Sequence, residues 1–189
     1  MRERNSIAAA MLLCGALALA STARAGDDTF SMKEILNEAG GVFGGVSEAI
    51  AKVIESAFKA HGEPTGFIKG SDRGAAVAVG YRQGEGTLTL KNRGSHKVYW
   101  RSPSVGFEVG GSTTKAFILV YKLRDPEKIY RKFPGVEGNA YVFGGAGVTY
   151  NQWSDVVLAT VRTGVGRRVG GNVGVLTFTR KKTKLPFKK

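Results

Sequence analysis

Between Ser31 and about Ala60 the hydrophobic positions Ile35, Leu36, Ala39, Val42, Phe43, Val46, Ile50, Val53, Ile54, Ala57 and Phe58 recur at three- and four-residue steps. That is the period of an amphipathic helix. Ser31 followed by Glu34 forms a capping box, while Lys52 and Lys59 fall toward the negative end of the helix dipole. Two glycine pairs, Gly40-Gly41 and Gly44-Gly45, interrupt this well-signed helix. Each glycine costs about 1 kcal/mol relative to alanine in a helix. The pairs predict a break or kink, the other reading being a smooth face for close backbone approach. The charged residues between Lys33 and Lys59 exclude a bilayer span and favour packing on the chain's own domain.

After His61-Gly62-Glu63-Pro64 the period changes to two. Alternation predicts strands at Gly74–Tyr81, Gly86–Lys91, Lys97–Arg101, Val105–Val109, Lys115–Leu123, Asn139–Phe143, Ala146–Asn151, Asp155–Arg162 and Asn172–Arg180. Asp125 as cap with Pro126 behind it predicts one short helical turn. Lys115–Leu123 departs from alternation, with Ala116, Ile118 and Val120 on one face and Phe117, Leu119, Tyr121 and Leu123 on the other. A strand apolar on both faces is buried on both. The expected fold is mainly β: a small closed antiparallel β-barrel of about eight strands, with the N-terminal amphipathic helix packed on it. The barrel interior would lie on one face of Lys115–Leu123 and the helix on the other.

The first residues add a compartment. Arg2 and Arg4, an apolar run from Ile7 to Ala20 and Ala23-Arg24-Ala25 read as a secretory signal peptide cleaved before Gly26. The run is broken by Gly15 and falls short of the roughly 18 apolar residues of a spanning helix. Cys14, the only cysteine, lies inside it, so a mature chain carries no disulfide, thiol nucleophile or cysteine metal site. The expected organisation is signal peptide 1–25, helical segment 26–61, β-barrel 62–180 and basic tail 181–189. The expected location is the periplasm.

The formal charge is +13, of which the leader holds +2 through Arg2, Arg4 and Arg24 against Glu3, leaving +11 for the mature chain. Such a field favours anionic partners. Export makes these an anionic lipid, lipopolysaccharide or other envelope polymer, and not nucleic acid. The candidate anion-binding residues are Lys115, Arg131, Arg162 and Arg168, taken as lining one barrel rim, and Arg180, Lys181 and Lys182 in the tail. The alternative for the rim is solvated edge-strand charge, and for the tail a solvated terminus.

No catalytic chemistry is legible. The glycines of 80–86 and 164–171 lack the helix or the Lys-Ser/Thr ending of phosphate loops and read as strand corners. His61 and His96 stand apart, without metal-ligand spacing. No nucleophile, base and orienting group can be named together, so the chain reads as non-enzymatic, with no cofactor and no metal.

Four strings then carry a family resemblance: Gly84-Glu-Gly-Thr-Leu-Thr-Leu-Lys91, Val98-Tyr-Trp100 with Ser102 to Gly110, Phe133 to Gly138, and Arg162-Thr-Gly-Val-Gly166. Over about Gly84 to Phe187 the chain resembles the EipA family, named for envelope integrity protein A. The resemblance implies a soluble periplasmic β-barrel of about eight strands needed for resistance to envelope stress, and brings no catalytic residue. The glycine-rich strands are also distantly similar to SYLF lipid-binding domains. The functional expectation is support of the envelope by binding an anionic lipid or polysaccharide; the alternative is a module docking on another envelope protein.

Overall fold

A computed structural model describes residues 28–77, 79–105, 112–136, 140–163 and 174–182. The expected leader, residues 106–109 of one expected strand, Arg168 and the end of the basic tail lie outside the described residues.

The helical segment folds as two helices, α1 (Met32–Phe43) and α2 (Glu48–His61). The Ser31 hydroxyl accepts the Glu34 amide at 3.4 Å, and the Glu34 carboxylate accepts the Ser31 amide at 2.8 Å, completing the capping box. Of the two glycine pairs, the second makes the break. Gly44 and Gly45 adopt φ of 81° and 138°, a left-handed excursion that a side chain would strain. Gly40 and Gly41 stay inside α1. Ser47 then caps α2 by accepting the Ile50 amide.

Nine antiparallel strands follow: β1 (Gly66–Val77), β2 (Val79–Leu90), β3 (Gly94–Val105), β4 (Ser112–Tyr121), β5 (Lys132–Phe133), β6 (Tyr141–Phe143), β7 (Ala146–Trp153), β8 (Val156–Thr163) and β9 (Leu176–Thr179). They form one curled sheet in the order β5-β9-β3-β2-β1-β4-β8-β7-β6. A 3-10 turn at Pro126–Ile129, capped by Asp125, stands where a helical turn is expected.

The sheet carries a core on each face, and β4 contributes to both. On the outer face Phe67, Phe117, Leu119 and Tyr121 pack with Ile35, Ile50, Val53, Ile54 and Ala57 of the helices. Inside the curl Ile68, Leu88, Val98, Trp100, Ile118, Val120, Leu158, Phe133 and Phe178 form the second core. The doubly apolar strand therefore lies where its two faces require, with the helices across one of them.

The ladder is not continuous around the curl. β5 and β6 stand at the two ends of the strand order, and the backbone just beyond β5 meets β7 through one isolated bridge, Gly135 with Asn151. Two amide bonds flank it, Gln152 to the Pro134 carbonyl and Val136 to the Tyr150 carbonyl, both 2.9 Å. The Asn151 side-chain amide donates to the carbonyls of Phe133 and Gly174, at 3.0 and 2.8 Å.

Two strand expectations are corrected. The expected strand Gly74–Tyr81 straddles the β1–β2 hairpin, where Ala76 pairs with Gly80 and Val77 with Val79. The stretch Ala75 to Val79 is apolar and holds no turn residue, so it reads as unbroken alternation. β3 runs through Ser102-Pro103-Ser104, which sequence reading leaves as a gap. The glycines of β2 serve close approach more than corners. A Cβ on Gly84 would fall on the Trp100 indole, and one on Gly86 on the Lys69 carbonyl. The Trp100 ring thus occupies space that side chains would fill at Gly84 and Gly70.

Candidate functional site

Alternation along β3 buries Val98 and Trp100 inside the curl and turns Lys97, Tyr99 and Arg101 outward. β9 pairs on this strand through Thr177 and Thr179, and β5 adds the exposed Lys132 beside Thr177. The helices pack over β1, β4, β7 and β8, leaving this region of the outer face to solvent. It is framed by cations: Lys97, Arg101, Arg131, Lys132, Arg180, Lys181 and Lys182 outnumber the acidic neighbours Glu85, Asp125 and Glu127.

Aromatic rings hold several of these cations along the surface. The Arg131 guanidinium lies 4.1 Å from the Trp153 ring centroid, Arg180 lies 4.5 Å from that of Tyr130, and Lys97 Nζ 5.5 Å from that of Tyr99. A stacked guanidinium keeps its in-plane N–H donors for other acceptors. Arg180 also pairs with Glu127, and Lys182 Nζ stands 3.8 Å from Glu85. Both pairs are exposed, so they contribute little stability and exchange readily for another anion.

The candidate residues therefore separate. Arg131, Arg180, Lys181 and Lys182 gather at this edge. Lys115 is exposed on β4, opposite Ser71. Arg162 does not stand with them on the outside, because alternation on β8 places it on the Leu158 face, inside the curl. There its Nη2 donates to Asp72 Oδ2 at 2.8 Å. Arg82 Nη1 and Thr114 Oγ1 donate to Asp72 Oδ1 at 3.1 and 2.6 Å. Asp72 is fully buried at the end of the curl where β1 turns into β2. Burial pushes its carboxyl up, but the Arg162 charge, the bonds from Thr114 and Arg162 and the Arg82 charge outweigh burial and hold the pKa below the ordinary aspartate value.

Sequence reading missed Asp72, Arg82 and Thr114. The usable signal was the inward alternation Ile68-Gly70-Asp72, hidden because Gly70-Ser71-Asp72-Arg73-Gly74 has loop composition. His61 lies 5.2 and 5.1 Å from the rings of Tyr121 and Tyr150, under the end of α2, and burial with the Lys122 charge lowers its pKa. His96 sits in the β2–β3 hairpin beside the Arg93 carbonyl.

A curled antiparallel sheet with an apolar interior, two helices on one flank and a basic opposite flank defines a β-barrel-like protein. A solved structure described as a beta-barrel-like, uncharacterized protein from Brucella abortus is similar to this chain, with a TM-score of 0.74 and 37% identity over 85% of this chain and 99% of that one. The model of the family Envelope integrity protein A matches residues 28–187, and the chain belongs to that EipA family. No curated protein matches the chain. The family name attaches this fold to integrity of the cell envelope.

Proposed function

We propose that the protein is a non-enzymatic periplasmic component, exported by a cleaved signal peptide, that supports the envelope by holding an anionic lipid or polysaccharide against its basic flank. The observation that carries this reading is a cluster of cations beside β3, β9 and β5: Lys97, Arg101 and Lys132 on the face the helices leave uncovered, Arg131 and Arg180 over the Trp153 and Tyr130 rings at its border, and Lys181 and Lys182 after β9. Exposed basic residues near an anionic membrane contribute about 1 kcal/mol each, which makes a weak, salt-sensitive and multivalent contact. The reading takes the curled sheet as the wall of a small closed barrel whose filled interior leaves function to its outside. Co-sedimentation with phosphatidylglycerol vesicles and with lipopolysaccharide tests it. Binding is expected at low salt and weaker at physiological salt; its absence at both overturns the ligand assignment.

A second reading, docking on an envelope protein, draws support from the edge strand β6. Tyr141, Val142 and Phe143 there, with Val46 between the helices, stay about 40% exposed. In-cell crosslinking that yields one dominant protein adduct through this edge, with no vesicle binding, would replace the first reading by this one.

A further inference from the structure

Strand register extends the basic flank beyond the residues named so far. Asp72, Trp100 and Phe178 belong to one register row and point into the curl. The row one residue along therefore faces outward. It reads Lys132, Thr177, Arg101, Gln83, Arg73 and Thr113, each the register partner of the next across β5, β9, β3, β2, β1 and β4. Lys132, Arg73 and Thr113 are exposed and Arg101 half-buried. Helix α1 reaches β1 at Lys69, whose Nζ meets Glu38 at 2.6 Å. Arg73 lies four residues further on, about 13 Å along the strand, clear of that contact.

The cations of this row are spaced evenly. Lys132, Arg101 and Arg73 stand on alternate strands, with the polar side chains of Thr177 and Gln83 between them. Neighbouring strands lie about 4.8 Å apart, so positive charge recurs about every 10 Å across the sheet. An extended pyranose unit spans nearly one strand separation. A glycan that alternates acidic and neutral sugars would therefore bring each carboxylate to a cation and each neutral sugar to Thr177 or Gln83.

A flat bilayer fits this row poorly. From β5 to β1 the row crosses five strands of a nine-stranded sheet whose ends meet at the Gly135–Asn151 bridge, so it wraps about half of the curl. Lys132 and Arg73 face different ways, and a plane touches one end at a time. The row also holds none of the exposed large hydrophobics Val46, Tyr141, Val142 and Phe143 that could insert into lipid.

We propose that the ligand of the basic flank is an extended acidic polysaccharide that runs across the strands, with Arg73, Arg101 and Lys132 each holding one carboxylate. This inference rests on the anionic-ligand reading above and adds to it a ligand class, a direction and the residue Arg73.

The test is calorimetric titration at low salt with hyaluronate oligosaccharides, whose acidic and neutral sugars alternate. The hexasaccharide, with three carboxylates, should bind about threefold tighter than the tetrasaccharide, with two, the worth of one exposed ion pair. Arg73→Gln should bring the hexasaccharide down to the affinity of the tetrasaccharide; should that variant not fold, Lys132→Gln removes the other end of the row. Lys33→Gln, an equal loss of charge on exposed α1, should leave both affinities unchanged. Equal affinities of the two oligosaccharides, or equal losses in Arg73→Gln and Lys33→Gln, would overturn the row. Binding of phosphatidylglycerol vesicles without any hyaluronate oligosaccharide would overturn this inference and keep the flank as a lipid site, whereas no binding of vesicles, lipopolysaccharide or oligosaccharide would remove the anionic-ligand reading as well.

Discussion

Strands β4 and β3 belong to one sheet, with β1 and β2 between them, yet they meet opposite surroundings. β4 is buried on both faces, between the helices and the curl interior, whereas β3 is buried only inward and turns Lys97, Tyr99 and Arg101 to solvent. The same backbone ladder thus supports a packed core on one flank and a charged surface on the other. What decides between them is whether the sequence abandons alternation, as Ala116 to Tyr121 does, or keeps it.

The sharpest way to break this contrast is to truncate neighbours on β4. Ile118→Ala opens the inner core and Leu119→Ala the outer one, and each should lose about 2–5 kcal/mol in urea unfolding. Tyr99→Ala, on the half-open face of β3, should lose far less. Equal losses at Tyr99 and Leu119 would show that the basic flank is covered after all.

Asp72→Asn should cost about 3 kcal/mol, because Arg82 and Arg162 would lose the buried carboxylate they share. Its folded pKa is lowered, so the stability it contributes is present above the ordinary aspartate value and fades as pH falls through the lower folded value. Melting temperatures followed into acid should therefore fall more steeply for the wild type than for Asp72→Asn. Parallel curves would contradict the ion-pair assignment.

Gly84→Ala comes next, at about 1–3 kcal/mol, since its methyl would land on the Trp100 indole and force the ring to move. A near-ultraviolet circular dichroism change should accompany the loss. Ser31→Ala should cost about 1 kcal/mol by removing the cap of α1. Its partner Glu34 is drawn down to about 2 by bonds from Lys91 and Ser31, so this capping persists through mild acid and disappears only near that value. Lys181→Gln with Lys182→Gln should change stability least of all, while reducing vesicle co-sedimentation at low salt. A stability loss without a binding loss would reverse the proposed division of labour.

These contrasts also mark what was legible in the residues. The helix start, the break at a glycine pair and the two-sided burial of β4 follow from local periodicity, because each depends on side chains within a few positions of one another. The β1–β2 hairpin was hidden by an apolar stretch that lacks any turn residue, and β5 by its two-residue length. The pairing of Arg162 went unread for a different reason. Its partner Asp72 lies 90 positions away, and only strand register reveals that both face inward. Charge in an exposed pattern and charge in a buried pair look identical until the ladder is known.

Asn151 gives the seam a further meaning. One nearly buried amide ties β7 to both Phe133 and Gly174, fastening chain segments that enter the seam from separate stretches of sequence. Where every other junction is a zipper of repeated amide pairs, this one is a clasp. Local opening is favoured where few bonds must part, so hydrogen exchange at the Gln152 and Val136 amides, both bonded across this clasp, should report its opening.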